Sequence, residues 1–232
     1  MGLRFVRAVG IAGVVVLVGS ALPAPAQEGA AAVAAETCRE RAASAVQKRY
    51  QGVSDLSARF EQTTRAVGVG TAAGEPAVSR GRVVLAKPGK MRWSYEEPEP
   101  SLVVSDGETL WIFDPSFGEA QKLPAGEGYL TGAAAQFLLG SGEMERDFEV
   151  SAVSCDASAV ELQLVPREPA SYEKLFLVVD PERGEVRRTR VVDLLGNVVS
   201  VEFSEVRFDT DPPAAEFRFE PPDGVRVIEV SP

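Results

Sequence analysis

The stretch Gly81–Pro115, GRVVLAKPGKMRWSYEEPEPSLVVSDGETLWIFDP, decides the fold of this 232-residue chain. It predicts four short β-strands, because apolar and polar residues alternate with the period of a half-buried strand and turn residues separate the runs. In the second strand, Met91, Trp93 and Tyr95 fall on one face. Asp106-Gly107 predicts a tight hairpin, since both residues tolerate the positive φ of such a turn. This aromatic antiparallel surface is either buried by the chain itself or offered to a ligand.

The N-terminal residues have the composition of an export signal. Residues 1–26 combine two arginines, an apolar run over 9–18 and Ala24-Pro25-Ala26, a small-residue pattern that signal peptidase cuts. The sequence therefore predicts an exported, soluble protein. We expect residues 27–35 to form a flexible tether and 36–232 to form a single domain.

The composition argues against several classes of function. The net charge of −10 disfavours nucleic-acid binding. The chain has no histidine, which removes the usual activator of a serine or cysteine nucleophile and the commonest zinc ligand. The carboxylates of Glu96, Glu97 and Glu99 alternate with prolines, a pattern typical of a solvated turn rather than a catalytic acid pair. We therefore expect no enzyme activity, no cofactor and no metal site.

The two cysteines, Cys38 and Cys155, are candidates for a disulfide, because an exported chain meets an oxidising compartment. Cys38 falls in a predicted amphipathic helix over 36–50 and Cys155 in a strand region near the middle. A bond between them would therefore fasten that helix to the sheet.

The remaining chain is rich in strand patterns joined by hairpin-type turns. Strands are predicted at 55–65, 121–123, 148–153, 159–165, 174–180, 185–192, 198–208, 216–219 and 225–230, and a second helix at 130–139. A large antiparallel sheet curls, and two helices suffice to cover one of its faces. The predicted fold class is mainly β with α: an incomplete, unclosed antiparallel β-barrel of about eleven strands covered by a helical lid. Its lumen either receives apolar guests or is filled by the chain's own side chains.

Four groups of residues recur in a recognisable order: Phe60-x-Gln62, Lys87-Pro88-x-x-Met91-x-Trp93, Val104-Ser105-Asp106-Gly107-x-x-Leu110-Trp111 and Phe217-x-Phe219-x-Pro221-Pro222-x-Gly224-Val225. Together with the leader, they resemble the periplasmic outer-membrane lipoprotein carrier proteins, the LolA family. The resemblance implies an unclosed barrel with a helical lid. It also implies a periplasmic monomer that takes triacylated lipoproteins from an inner-membrane ABC transporter and hands them to an outer-membrane acceptor lipoprotein.

Pattern and resemblance together predict an acyl-chain cavity and a lid latch. The cavity is expected to be lined by Phe60, Leu85, Met91, Trp93, Tyr95, Leu102, Val104, Trp111, Phe113, Phe137 and Leu138. Lys87 stands where many members of the family place an arginine that holds the lid shut through lid carbonyls. Lysine lacks the planar fork of arginine, so its latch would be weaker or differently built, and the alternative is a solvated turn residue.

Two further functions fit the same barrel. One is the outer-membrane acceptor, which in this family is anchored by a lipidated N-terminal cysteine that this chain lacks. The other is an envelope regulator that senses lipids or lipoproteins. The soluble carrier is the preferred interpretation.

Overall fold

The computed structural model describes residues 25–67, 75–125 and 143–230, and side chains from residue 33 onward. The predicted helix over 130–139, with Phe137 and Leu138, lies outside the described residues. Most of the predicted leader lies outside them as well.

The described chain forms one open sheet in the strand order β12-β6-β5-β4-β3-β2-β1-β11-β10-β9-β8-β7. Neighbouring strands are antiparallel, except that β12 runs parallel to β6. The two end strands do not pair, which confirms an unclosed sheet with twelve described strands in place of about eleven. The strands are β1 Asp55–Arg65, β2 Ala77–Ala86, β3 Lys90–Glu97, β4 Ser101–Asp106, β5 Thr109–Asp114, β6 Glu119–Pro124, β7 Phe148–Cys155, β8 Val160–Pro166, β9 Tyr172–Val179, β10 Val186–Asp193, β11 Val198–Phe208 and β12 Arg226–Glu229.

The stretch quoted from the sequence contains most of β2 and all of β3, β4 and β5, as predicted. The hairpin turn between β4 and β5 is stabilised by hydrogen bonds within the turn itself. The Asp106 carboxylate accepts the backbone N–H groups of Thr109 and Glu108 at 2.8 and 2.9 Å, and Gly107 has a φ of +102°. The Thr109 hydrogen bond is the main reason why the pKa of Asp106 is below its usual value. The turn is thus determined by residues within it.

Two α-helices accompany the sheet in the described chain, α1 over Pro25–Gly52 and α2 over Met144–Asp147. The expected tether at 27–35 is wrong, because those residues are the first turns of α1. Five of these nine residues are alanine, the strongest helix former. Packing against β7 and β8 then holds the later turns of the helix.

The C-terminal region departs from prediction at 216–219. Ala214–Phe217 forms a 3-10 helix rather than a strand, and it packs against β3 and β4. Two prolines precede it and remove backbone donors that a ladder would need.

We call the face of the sheet that packs with α1 the inner face, and the other one the outer face. The inner face forms the main apolar core with the buried side of α1. Most of its strand residues come from β8, β9 and β10 and from β1, β2 and β3. Its most deeply buried members include Val46, Val83, Leu85, Val160, Leu162, Leu164, Leu175, Leu177 and Val179.

Candidate functional site

Four aromatic side chains meet on the inner face, and we call them the aromatic cluster. Phe60 of β1 makes edge-to-face contacts with Trp93 and Tyr95 of β3, with ring centroids 4.9 and 5.1 Å apart. Phe203 of β11 lies 6.4 Å from the Trp93 ring. Aromatic pairs at these distances stabilise one another beyond the area that they bury. The cluster therefore joins the inner faces of three strands.

Gly81 permits this arrangement, because it lies between Phe60 and Tyr95 in the ladder. A Cβ at this position would collide with the carbonyl oxygen of Ser94 and approach the Phe60 ring to 3.0 Å. With no side chain between them, the two rings meet across the strand. The sequence gives no direct signal for this role, since an isolated glycine in a strand has several uses.

The polar atoms of the cluster are few. Tyr95 Oη donates to Gln62 Oε1 over 3.1 Å, and burial raises the pKa of Tyr95 to about 12. Trp93 is only 4% exposed, and its Nε1–H has no acceptor among the described residues. A buried unpaired donor costs about 1–3 kcal/mol. This N–H is therefore the one polar atom of the aromatic cluster that lacks a partner in the described chain.

Five of the predicted cavity residues do share the inner face. Leu85 pairs with Met91 across β2 and β3, and Val83 pairs with Trp93 on the next inner rung. Leu85 is buried, whereas Met91 is half-buried and packs at the margin of the core. The inner-face members of the prediction are Phe60, Leu85, Met91, Trp93 and Tyr95.

The other four described members lie on the opposite face, so the prediction that they line the same cavity is wrong. Residues directly across a ladder share a face, and Trp93 pairs with Val103. The outer-face members of the prediction are therefore Leu102, Val104, Trp111 and Phe113.

These outer-face residues fill a second small core that the C-terminal segment covers. The ring of Phe219 lies 5.5 Å from Trp111 and 5.2 Å from Phe113, measured between centroids. Phe217 is almost fully buried beside them, and Arg92 donates to the backbone oxygen of Glu216 over 3.1 Å. The chain itself therefore occupies this apolar surface.

The inner positions of β4 and β5 belong instead to smaller side chains that sequence reasoning passed over: Val103, Ser105, Leu110 and Ile112. Both faces of these two strands are apolar, so alternation alone does not distinguish the inner residues from the larger aromatic residues on the outer face. The pairing of Trp93 with Val103 is the signal that identifies the inner-face residues of β4 and β5.

Lys87 binds the C-terminal end of α1. Its Nζ donates to the carbonyl oxygen of Tyr50 over 2.6 Å and to that of Gln51 over 3.4 Å. Its backbone N–H also donates to the carbonyl oxygen of Ser54 over 2.9 Å. A cation at this position is favoured by the partial negative charge of the helix end. Lys87 thus joins β2 to α1 and is not a free solvated turn residue.

Tyr50 and Arg49, in the last turns of α1, add further attachments. Tyr50 Oη accepts the backbone N–H of Val186 over 3.2 Å, and burial raises the Tyr50 pKa to about 12. The guanidinium of Arg49 lies 4.0 Å from the centroid of the Phe208 ring and 3.3 Å from a Glu185 oxygen. The helix end is therefore held by β2, β10 and β11 together.

The earlier turns of α1 are attached at two more places. Cys38 and Cys155 form a disulfide that links the helix to the edge strand β7. Gly184 has a φ of +68°, and a Cβ there would collide with the backbone carbonyl of Ala45. The helix thus lies directly against the turn before β10.

The most buried carboxylate in the described chain has a structural role. Asp55 is 4% exposed and accepts hydrogen bonds from Thr210 N and Oγ1, Asp211 N and Ser54 Oγ at 2.7 to 3.2 Å. These bonds fasten the start of β1 to the segment after β11. Both oxygens are thereby occupied by the protein.

Residues 25–67, 75–125 and 143–230 contain no group of three or more His, Cys, Asp or Glu residues placed to hold a metal ion. None of their helices combines the length and apolarity needed to cross a membrane.

The aromatic cluster and its inner-face neighbours belong to the same apolar core as the buried side of α1. The family model for the outer membrane lipoprotein carrier protein LolA matches residues 51–220. The chain therefore belongs to the LolA family, and the resemblance seen in its motifs is confirmed.

Named relatives support the same assignment along most of the chain. The outer-membrane lipoprotein carrier protein of Chromobacterium violaceum is 31% identical over 204 residues, which are 86% of this chain and 94% of the relative. That of Legionella pneumophila (strain Corby) is 26% identical over 195 residues, 84% of this chain and 93% of the relative. A solved structure of a conserved protein from Thermus thermophilus covers 82% of this chain and 98% of its own, with a TM-score of 0.50 at 13% identity, and shows a shared fold alone.

Proposed function

We propose that this chain carries lipoproteins through the periplasm by holding their acyl chains against the inner face of its sheet. The observation that carries the proposal is the aromatic cluster on the inner face of a LolA-family sheet. Its relatives are named as outer-membrane lipoprotein carriers, and this favours delivery over the sensing of lipids.

Acyl chains need such a carrier because their exposure to water is costly. Each buried methylene is worth roughly 0.8 kcal/mol, so a triacylated anchor does not leave a membrane unshielded at a useful rate. A carrier must also release its cargo. The inner face suits both demands, because Met91 is flexible and polar groups that would grip one ligand are few.

The unpaired Nε1–H of Trp93 has a part in this proposal. It lies among apolar side chains, where a hydrogen bond to an ester or amide carbonyl of the lipid would satisfy it. The acyl chains would then extend over Phe60 and Met91, on the same face.

Lys87 is the candidate latch. Its ammonium holds the backbone of α1 as the family arginine is expected to hold the lid, but through one pivoting group instead of a planar fork. The partners that complete the proposal are an inner-membrane ABC transporter as donor and an outer-membrane lipoprotein as acceptor. The carrier would act as a monomer with one cargo molecule.

The test is release of a labelled triacylated lipoprotein from inner-membrane vesicles by the purified protein. Met91→Glu puts an unpaired charge on the inner face at a cost of several kcal/mol for an acyl chain that covers it, and should abolish release. Ser94→Glu places the same charge on the outer face of the same strand and should leave release unchanged. Full release by Met91→Glu, or equal loss in both variants, would contradict the proposal.

A further inference from the structure

The turn between β10 and β11 presents two leucines to solvent. Leu194 and Leu195 are 67% and 80% exposed, and Val67, at the end of the neighbouring β1, is 61% exposed. The Val67 N–H donates to Asn197 Oδ1 over 2.9 Å, which holds Val67 against the turn. We call Val67, Leu194 and Leu195 the apolar tip.

The apolar tip is built on a well-defined turn. The Asp193 carboxylate accepts the backbone N–H groups of Leu195 and Asn197 at 2.9 and 2.8 Å and the side-chain amide of Asn197 at 2.7 Å. The Gly196 N–H donates to the Asp193 carbonyl over 3.0 Å, and Gly196 adopts a φ of +86°. The leucines are therefore held outward by hydrogen bonds inside the turn.

We propose that the apolar tip docks this protein transiently on the surface of a lipid bilayer. Backbone donors that enter a bilayer interface must be satisfied within the protein, and those of Leu195, Gly196 and Asn197 are. Residues 194–198 and 66–67 also include no charged side chain. The apolar tip can therefore enter the bilayer interface with few polar groups that would lose their contact with water.

Arg65, at the edge of the apolar tip, is a candidate to bind a lipid headgroup. It pairs with Val198, the first residue after the turn, and its side chain is exposed. It makes no ion pair within the described chain, whereas most arginines nearby on the outer face do. A free guanidinium beside inserted leucines is placed to meet a lipid phosphate.

The topology strengthens this assignment. Strands β5 and β10 run in the same direction, so the β5–β6 turn lies at the same end of the sheet as the apolar tip. Phe117 on that turn is 76% exposed. In the described chain, the large exposed apolar side chains found on turns all lie at this end.

A bilayer fits these features better than a protein partner does. A stable protein interface needs roughly 800 Å² on each side with a packed centre. Three aliphatic side chains on a narrow turn offer less area and can enter a fluid surface. The strongly acidic composition keeps such docking weak, as suits a protein that must leave again.

The experiment is flotation of the purified, cargo-free protein with vesicles of phosphatidylethanolamine and phosphatidylglycerol. The double variant Leu194→Ser/Leu195→Ser should lower the partition coefficient, obtained from flotation over a series of lipid concentrations, at least about tenfold, since a loss of about 1.4 kcal/mol already has this effect. Val153→Ser, at an aliphatic residue 54% exposed on the edge strand β7, is the matched control and should float like the parent protein. A dye on Leu195→Cys should report an apolar environment when vesicles are added.

Three outcomes would overturn the proposal: no flotation of the parent protein, equal flotation of the parent and the double variant, or a dimer that only the double variant loses. The last would assign the tip to a second copy of the chain. Because the experiment uses neither cargo nor transporter, its result is independent of the lipoprotein-release assay and of the proposed carrier function.

Discussion

Removal of the Lys87 ammonium should loosen the C-terminal end of α1 from the sheet. Lys87→Met keeps the aliphatic stem but loses the 2.6 Å bond to Tyr50 and the 3.4 Å bond to Gln51. A hydrogen bond from a charged donor contributes about 1.5–3 kcal/mol, and a cation in the last helical turn about 0.3–1 kcal/mol. The two contributions overlap, so we expect the free energy of unfolding to fall by about 2 kcal/mol.

Urea unfolding followed by circular dichroism, with the disulfide intact, measures this loss. Lys87→Arg retains a charged donor and should remain closer to the parent protein. Lys90→Met removes the same charge three residues away, where no hydrogen bond to α1 is made, and should cost less than about 0.5 kcal/mol. Equal losses for the Lys87→Met and Lys90→Met variants, or no loss for Lys87→Met, would refute a specific role of Lys87 at the helix end.

Two other predictions concern the packing of α1 and the buried tyrosines. Gly184→Ala should destabilise the fold by about 3 kcal/mol, because the left-handed φ costs about 1–2 kcal/mol and the collision with the Ala45 carbonyl adds about 1–3 kcal/mol. Gly224→Ala, at a φ of +84° in open space, should cost only the first part, and equal urea midpoints for the two variants would contradict the packing argument. Burial raises the pKa of Tyr50 and Tyr95 from 10.0 to about 12, so the folded state keeps protons that the unfolded chain loses between these values. Stability should therefore hold below pH 10 and fall above it by up to about 1.4 kcal/mol per pH unit for each tyrosine, and Tyr95→Phe should reduce the slope in a pH series of urea unfolding.

The positions of most strands along the chain could be predicted, because the patterns that define them are local. Alternation within β3 and the Asp106-Gly107 turn each act over a few residues, and the structure has strands and a hairpin there. The parallel pairing of β12 with β6 depends on residues more than 100 positions apart, and no local pattern announces it.

The candidate site was only partly predictable. The alternation of β3 predicts Met91, Trp93 and Tyr95 on one face, as the structure has them, because their neighbours on the strand are polar. In β4 and β5 both faces are apolar, so the choice between Trp111 and Ile112 had no local basis. Phe219 decides it, because it covers the outer face from a distant segment.

The dependence on distant contacts also explains why the tether predicted at 27–35 is wrong. Residues 27–35 are rich in alanine, which fits either a tether or a helix when taken alone. The helix is continuous with turns that the disulfide at Cys38 and the contact with Gly184 hold against the sheet. Long-range attachment of this kind is not visible in a local pattern.

The two tryptophans allow the most direct test of acyl binding at the inner face. Trp93 belongs to the aromatic cluster, whereas Trp111 packs beneath Phe219 on the outer face. Each is observed alone in the Trp111→Phe and Trp93→Phe variants, during titration with a bromine-labelled fatty acid that quenches nearby indoles. The account predicts strong quenching of Trp93 and little change in Trp111. Equal quenching of both, or quenching of Trp111 alone, would contradict it.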